Sequence, residues 1–107
     1  MVHILFMTRI NIIPVEELYD QHLIAEYREI TMVPASLFRS LKSKNGINLK
    51  KISPKYTLNT GHVYFFYDKG KYLDKRYSEI IKEMHKRGFK CDPNREFPKQ
   101  IFIENDL

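Results

Sequence analysis

Cysteine occurs once in these 107 residues, at Cys91, so no disulfide can close within the chain and a cage of thiolates around a metal is excluded. Such usage suits a reducing, intracellular compartment. Long hydrophobic runs are also missing, and no segment approaches the roughly 20 apolar residues that a membrane span requires. The apolar opening Val2–Phe6 is too short for a secretory core and has no basic stretch before it. The four glycines are scattered and form neither GxGxxG nor the P-loop pattern, which removes the usual phosphate-cradling loops. Internal repeats and low-complexity tracts are lacking. Acidic residues are in deficit, with thirteen Asp+Glu against eighteen Lys+Arg, a net charge of +5 and a pI near 9.3. That balance favours a polyanionic partner, nucleic acid first, although charge alone is compatible with a protein that is simply basic.

What remains is a single soluble domain with an ordinary apolar content of 43%. Helical signals dominate. Asp20 reads as the N-cap of a helix from Gln21 to about residue 44, with Leu23, Ile24, Tyr27 and Ile30 at helical spacing. Pro34 should kink it, Leu37, Phe38 and Leu41 extend the stripe, and Asn45-Gly46 should end it. Lys50–Gly61 reads as an irregular connection. A second helix is expected over about residues 71–87, with Tyr72, Leu73, Arg76, Tyr77, Ile80, Ile81 and Met84 along one face and Gly88 as its stop. From Cys91 onward no period is visible, which predicts a largely irregular tail. The expected fold is all-α: two main helices, about 21–44 and 71–87, with long irregular connections.

On the first helix, about 100° per residue separates a core arc (Leu23, Ile24, Tyr27, Ile30) from an outward arc of Arg28, Gln21, Ala25, Glu29, His22 and Glu26. On the residues alone, a solvated face with incidental charges is the stronger account. A metal reading fares worse: His22 and Glu26 are four apart and His62 or Glu29 could complete a set, but no recognised ligand spacing follows. The segment His62–Tyr67, followed by Lys69, Lys71, Lys75 and Arg76, interleaves aromatics and cations as nucleic-acid surfaces do. Phe65 and Phe66 nevertheless read as core, leaving Lys50, Lys51 and Lys55 as the better phosphate contacts, or as a generic basic loop.

The run from Met7 through Thr8, Arg9, Ile10 and Asn11 to Glu29 resembles the opening of pyrimidine-dimer DNA glycosylase/AP lyases of the phage and algal-virus endonuclease V type. The resemblance resumes at Lys51–Lys69 and Lys86–Phe89, and so spans most of the chain. It implies that the α-amine of Thr8 is the nucleophile, that Glu29 is the catalytic acid, and that Arg9, Gln21, His22 and Arg28 hold DNA. Glu26 competes with Glu29 for the acid's role on the helix face, and only family position selects Glu29. The implied partner is double-stranded DNA carrying ultraviolet photoproducts, bound by a monomer wherever that DNA resides. Neither cofactor nor metal nor membrane is implied. An α-amine suits the task because its reference pKa, about 7.7–8.0, leaves a usable neutral fraction, unlike lysine near 10.4.

Two departures accompany the resemblance. Residues 1–6 precede Met7 as an extension, so Thr8 carries an amide rather than an amine until the chain begins there; the glycosylase-like domain is expected over 7–107. The end Glu104-Asn-Asp-Leu107 replaces the aromatic, basic tail of phage members. An inactive DNA-binding relative with a blocked N-terminus is the alternative expectation.

Overall fold

A computed structural model of the chain describes residues 9–44, 46–58 and 61–107. Thr8 and the extension before Met7, Asn45 of the expected turn, and Asn59 lie outside the described residues. Among those described, the fold is all-helical, as the periodicity predicts.

The first long helix is two. Helix α1 covers Asp20–Glu29 and α2 covers Met32–Lys42, with the chain turning at Ile30–Thr31. Pro34 explains the break without occupying it. It is the third residue of α2, where a backbone N–H would have no intrahelical acceptor, so its lack of one costs nothing there. Continuing α1 through it would drive the pyrrolidine ring into the carbonyl four residues back, that of Ile30. Asp20 is the first residue of α1 rather than its cap; Tyr19 precedes it and makes no side-chain cap bond. The Asp20 carboxylate instead accepts from Arg87 at 3.0 Å.

The connection expected to be irregular, Lys50–Gly61, opens in a 3-10 turn at Leu49–Lys51; after it come a single helical turn, α3, at His62–Phe65, and a further 3-10 turn at Phe66–Asp68. Helix α4 covers Gly70–Lys86. Its end is closed as Gly88 predicts: Gly88 adopts φ +84°, its N–H donates to His85 O at 3.0 Å, and the Phe89 N–H donates to Met84 O at 2.8 Å.

The tail is largely irregular, as expected, but it holds one short helix that the sequence did not show. A five-residue helix, α5, forms at Gln100–Glu104, too short to display a period in sequence. It is held by apolar contact, with Phe97 and Phe102 buried and stacked on one another at 5.9 Å. The start of α4 accommodates it because residue 70 is glycine: a Cβ there would stand 2.5 Å from Phe102 Cβ. The Gly70 N–H donates to Leu107 O at 3.0 Å.

The core lies where α1 packs on α4 and α2 packs on the 66–68 turn and α5. Leu23, Ile30, Val33, Leu37, Phe66, Leu73 and Ile80 are fully enclosed, each such side chain contributing about 1.5–3 kcal/mol of burial. Phe65 and Phe66 are core, as expected. No helix among the described residues is long and apolar enough to cross a membrane.

Candidate active site

A short segment without regular secondary structure, Arg9–Ile13, leads into the helical body with no strand beside it among the described residues. Partly buried backbone groups must still be paired. Here side chains from four separate parts of the chain do what a neighbouring strand would do. The Arg9 N–H donates to Glu29 Oε1 at 2.9 Å and the Ile10 N–H to His62 Nε2 at 2.7 Å. The Tyr56 hydroxyl donates to Ile10 O at 2.6 Å. Asn11 donates twice to Glu26 Oε1, from its backbone at 3.2 Å and its side chain at 2.8 Å, while its carbonyl accepts from the Tyr72 hydroxyl at 3.1 Å. Arg76 Nη1 donates to the carbonyl of Ile13. Ile10 itself is completely buried, so the segment is fixed both by its backbone and by a side-chain anchor.

The protonation states follow from this geometry. His62 Nε2 accepts a backbone N–H, so its proton must sit on Nδ1, which donates to Thr57 O at 2.6 Å. Burial lowers the His62 pKa below the ordinary histidine value, opposed in part by the Thr57 hydrogen bond. The imidazole is therefore a neutral positioning group. Burial likewise raises the pKa of the Tyr56 and Tyr72 phenols, keeping them as donors.

Beneath the segment lies the ion pair Glu26–Arg76. Arg76 Nε donates to Glu26 Oε2 at 2.6 Å and Nη2 to Oε1 at 3.1 Å, with both residues at most 3% exposed. Burial opposes the Arg76 charge, but the hydrogen bonds and charge of Glu26 outweigh it and raise its pKa. This corrects two expectations. Glu26 does not face outward as a rival acid, and Arg76 is not available to phosphates. At about 100° per residue, Glu26 stands about 60° from Leu23 and 40° from Ile30, within the core stripe. Arg76 has the same relation to Leu73 and Ile80. Opposite charges at matching places in two apolar stripes were the signal that pairs them.

Glu29, by contrast, is only half-buried, at the last position of α1. Among the described residues, it and Arg9 are the two expected site residues that meet directly. Gln21, His22 and Arg28 are all exposed on α1, and the His22 ring lies against that of Tyr19 at 6.2 Å. No His22–Glu26–His62 metal set assembles, because each of the three is turned to a different partner. In the basic segment, Lys69 is engaged by Asp68 at 2.7 Å and lies 3.9 Å from the Phe65 ring centroid; Lys50, Lys51, Lys55, Lys71 and Lys75 are exposed. His62, Tyr56, Tyr72 and Asn11 had no place in the sequence-based site. Tyr72 reads on the apolar face of the second helix and the other three have no periodic role; only the fold shows that they converge.

The family model described as pyrimidine dimer DNA glycosylase matches residues 7–97 of this chain.

Proposed function

The chain belongs to the pyrimidine dimer DNA glycosylase family, and on that premise we propose that it excises cyclobutane pyrimidine dimers from duplex DNA with the α-amine of Thr8 and then nicks the strand. In this scheme residues 7–107 form the working domain, and the amine becomes available when the chain begins at Thr8. The amine attacks C1′ of the damaged nucleotide. The glycosidic bond breaks, the base leaves with its electron pair and gains a proton, and the sugar ring opens as nitrogen forms the imine. Covalent capture replaces one difficult displacement by easier steps. Glu29 donates a proton to the sugar oxygen as the ring opens and faces the cationic imine with its carboxylate. Removal of a C2′ proton then expels the 3′ phosphate by β-elimination.

The hydrogen bond from Arg9 N–H to Glu29 Oε1, 2.9 Å, carries this reading. The Thr8 amine nitrogen is three covalent bonds from that same Arg9 nitrogen, within about 4 Å by ordinary backbone dimensions. That short tether to a clamped segment supports a reaction at residue 8 within reach of Glu29. Positioning of this kind accounts for a large part of a catalysed barrier. Arg9, Gln21, His22 and Arg28 supply contacts to a duplex whose damaged nucleotide is turned out so that C1′ becomes accessible. The protein acts as a monomer wherever its DNA lies, and the scheme uses no metal or cofactor.

Borohydride reduction on ultraviolet-damaged duplex tests the proposal, using one chain that begins at Met1 and another with Thr8 at its N-terminus. A covalent protein–DNA species from the Thr8 chain alone is the expected result. No species from either chain removes the catalytic assignment and leaves a non-catalytic DNA-binding relative. Equal trapping by a Met1 chain of unchanged mass assigns the nucleophile elsewhere.

A further inference from the structure

Tyr19 is the most exposed of the large hydrophobic side chains among the described residues, at 76%. Single aromatics on a surface are ordinary; the mounting of this one is not. Leu18 before it is buried, and Asp20 after it is held by Arg87 at 3.0 Å. Arg87 also donates to the carbonyls of Val15 and Glu16, each at 3.3 Å, which ties the turn before α1 to the end of α4. The carbonyl of Tyr19 accepts the N–H groups of His22 at 3.0 Å and Leu23 at 2.9 Å. The backbone is thus fixed on both sides while the ring projects outward, backed by the His22 imidazole with 29° between the planes.

We propose that Tyr19, backed by His22 at the head of α1, is a base-stacking platform that takes the face of a nucleobase unstacked from the damaged duplex. This rests on the DNA reading of the α1 surface, since Gln21 and His22 adjoin it. An exposed ring on a fixed backbone, with an imidazole flanking it at 6.2 Å, offers its open face to a flat π-system. Every base has such a face, so the contact is tolerant of sequence. Few rotatable bonds keep the ordering cost of a tyrosine low. Stacking also has a signature apart from phosphate contacts: it changes affinity without changing the number of counterions released.

Equilibrium binding of the full chain to a dimer-containing duplex, across a range of salt, tests the assignment with Tyr19→Ala and Tyr19→Phe. Tyr19→Ala is expected to weaken binding on the order of 5- to 100-fold, with an unchanged slope of log affinity against log salt. Tyr19→Phe should restore the affinity, and both variants should melt with the parent. Parent-like affinity of Tyr19→Ala overturns the platform alone. A loss in Tyr19→Phe as large as that in Tyr19→Ala also overturns it, because the hydroxyl and not the ring would then make the contact. A parent chain that fails to bind the damaged duplex overturns the DNA reading together with the platform.

Discussion

Glu26 and Glu29 lie three residues apart on one helix, and replacing each with glutamine should separate structure from chemistry. Glu26 accepts four hydrogen bonds, two from Arg76 and two from Asn11, at a site 1% exposed. Glutamine there turns an NH2 toward donors and leaves the Arg76 guanidinium buried without a counter-charge. Breaking a buried pair in this way costs about 3–5 kcal/mol. With an unfolding entropy of about 0.22 kcal/mol/K for 107 residues, the melting temperature should drop by about 14–22 °C. Glu29→Gln keeps a carbonyl oxygen for the Arg9 N–H at a half-buried position, so its melting point should move by less than about 5 °C. Circular dichroism melts and nicking of ultraviolet-damaged duplex should be compared well below both transitions, using chains with Thr8 at the N-terminus. Glu26→Gln is expected to keep activity in the cold and lose it on warming, whereas Glu29→Gln stays folded and inactive. Parental melting with abolished nicking in Glu26→Gln would refute the reasoning, as would full nicking by Glu29→Gln.

His62 links the same clamp to pH. Its folded-state pKa lies below the unfolded value of about 6.5, so the unfolded chain binds more protons between the two. Its contribution to stability is complete above about pH 6.5 and fades as pH falls toward the folded-state value. Denaturant titrations from pH 7.5 to 5 should show this slope in the parent and a flatter one in His62→Gln; identical slopes would count against a neutral acceptor at Ile10. Gly70→Ala should lower stability by about 1–3 kcal/mol, because the new methyl group meets the Cβ of Phe102 rather than a movable side-chain end. A melt indistinguishable from the parent would show that α5 yields freely. Gly88→Ala should cost about 1–2 kcal/mol from φ +84° alone, since nothing lies within 4 Å of its Cβ, and an unchanged melt would show that the chain ends α4 differently.

The parts of this fold legible in sequence are those where local rules and burial agree. The apolar stripes of α1 and α4 and the glycine stop at Gly88 needed only periodicity and capping chemistry. The break before α2 was displaced by a few residues because proline acts on the turn behind it. Helix α5 was illegible: it rests on Phe97 stacking with Phe102 and on Phe102 seating against the distant Gly70, which no local window contains. Within the site, the exposed residues Gln21, His22 and Arg28 followed from helical angles together with the family resemblance. The clamp did not, because its members lie 15–63 residues from the backbone groups they bind. Glu26 was misread because it was assigned to the outward arc, although it stands only about 40° from Ile30. Arg76 was placed on the apolar face of the second helix but was also counted among the cations offered to phosphates, and its buried partner went unseen.

The clamp also sets an order of events during synthesis. Arg76 leaves the ribosome 63 residues after the Ile13 carbonyl it will bind, and His62 leaves 52 residues after Ile10. Until about three-quarters of the chain exists, the segment after Thr8 has no complete set of partners. Long-range closures of this kind come late and all together. Under the proposed scheme, a half-made chain with its amine at residue 8 would still lack the clamp that fixes residues 9–13. The clamp is thus withheld from nascent and partly unfolded chains, and on the proposed scheme the finished fold serves as the enzyme's own licence.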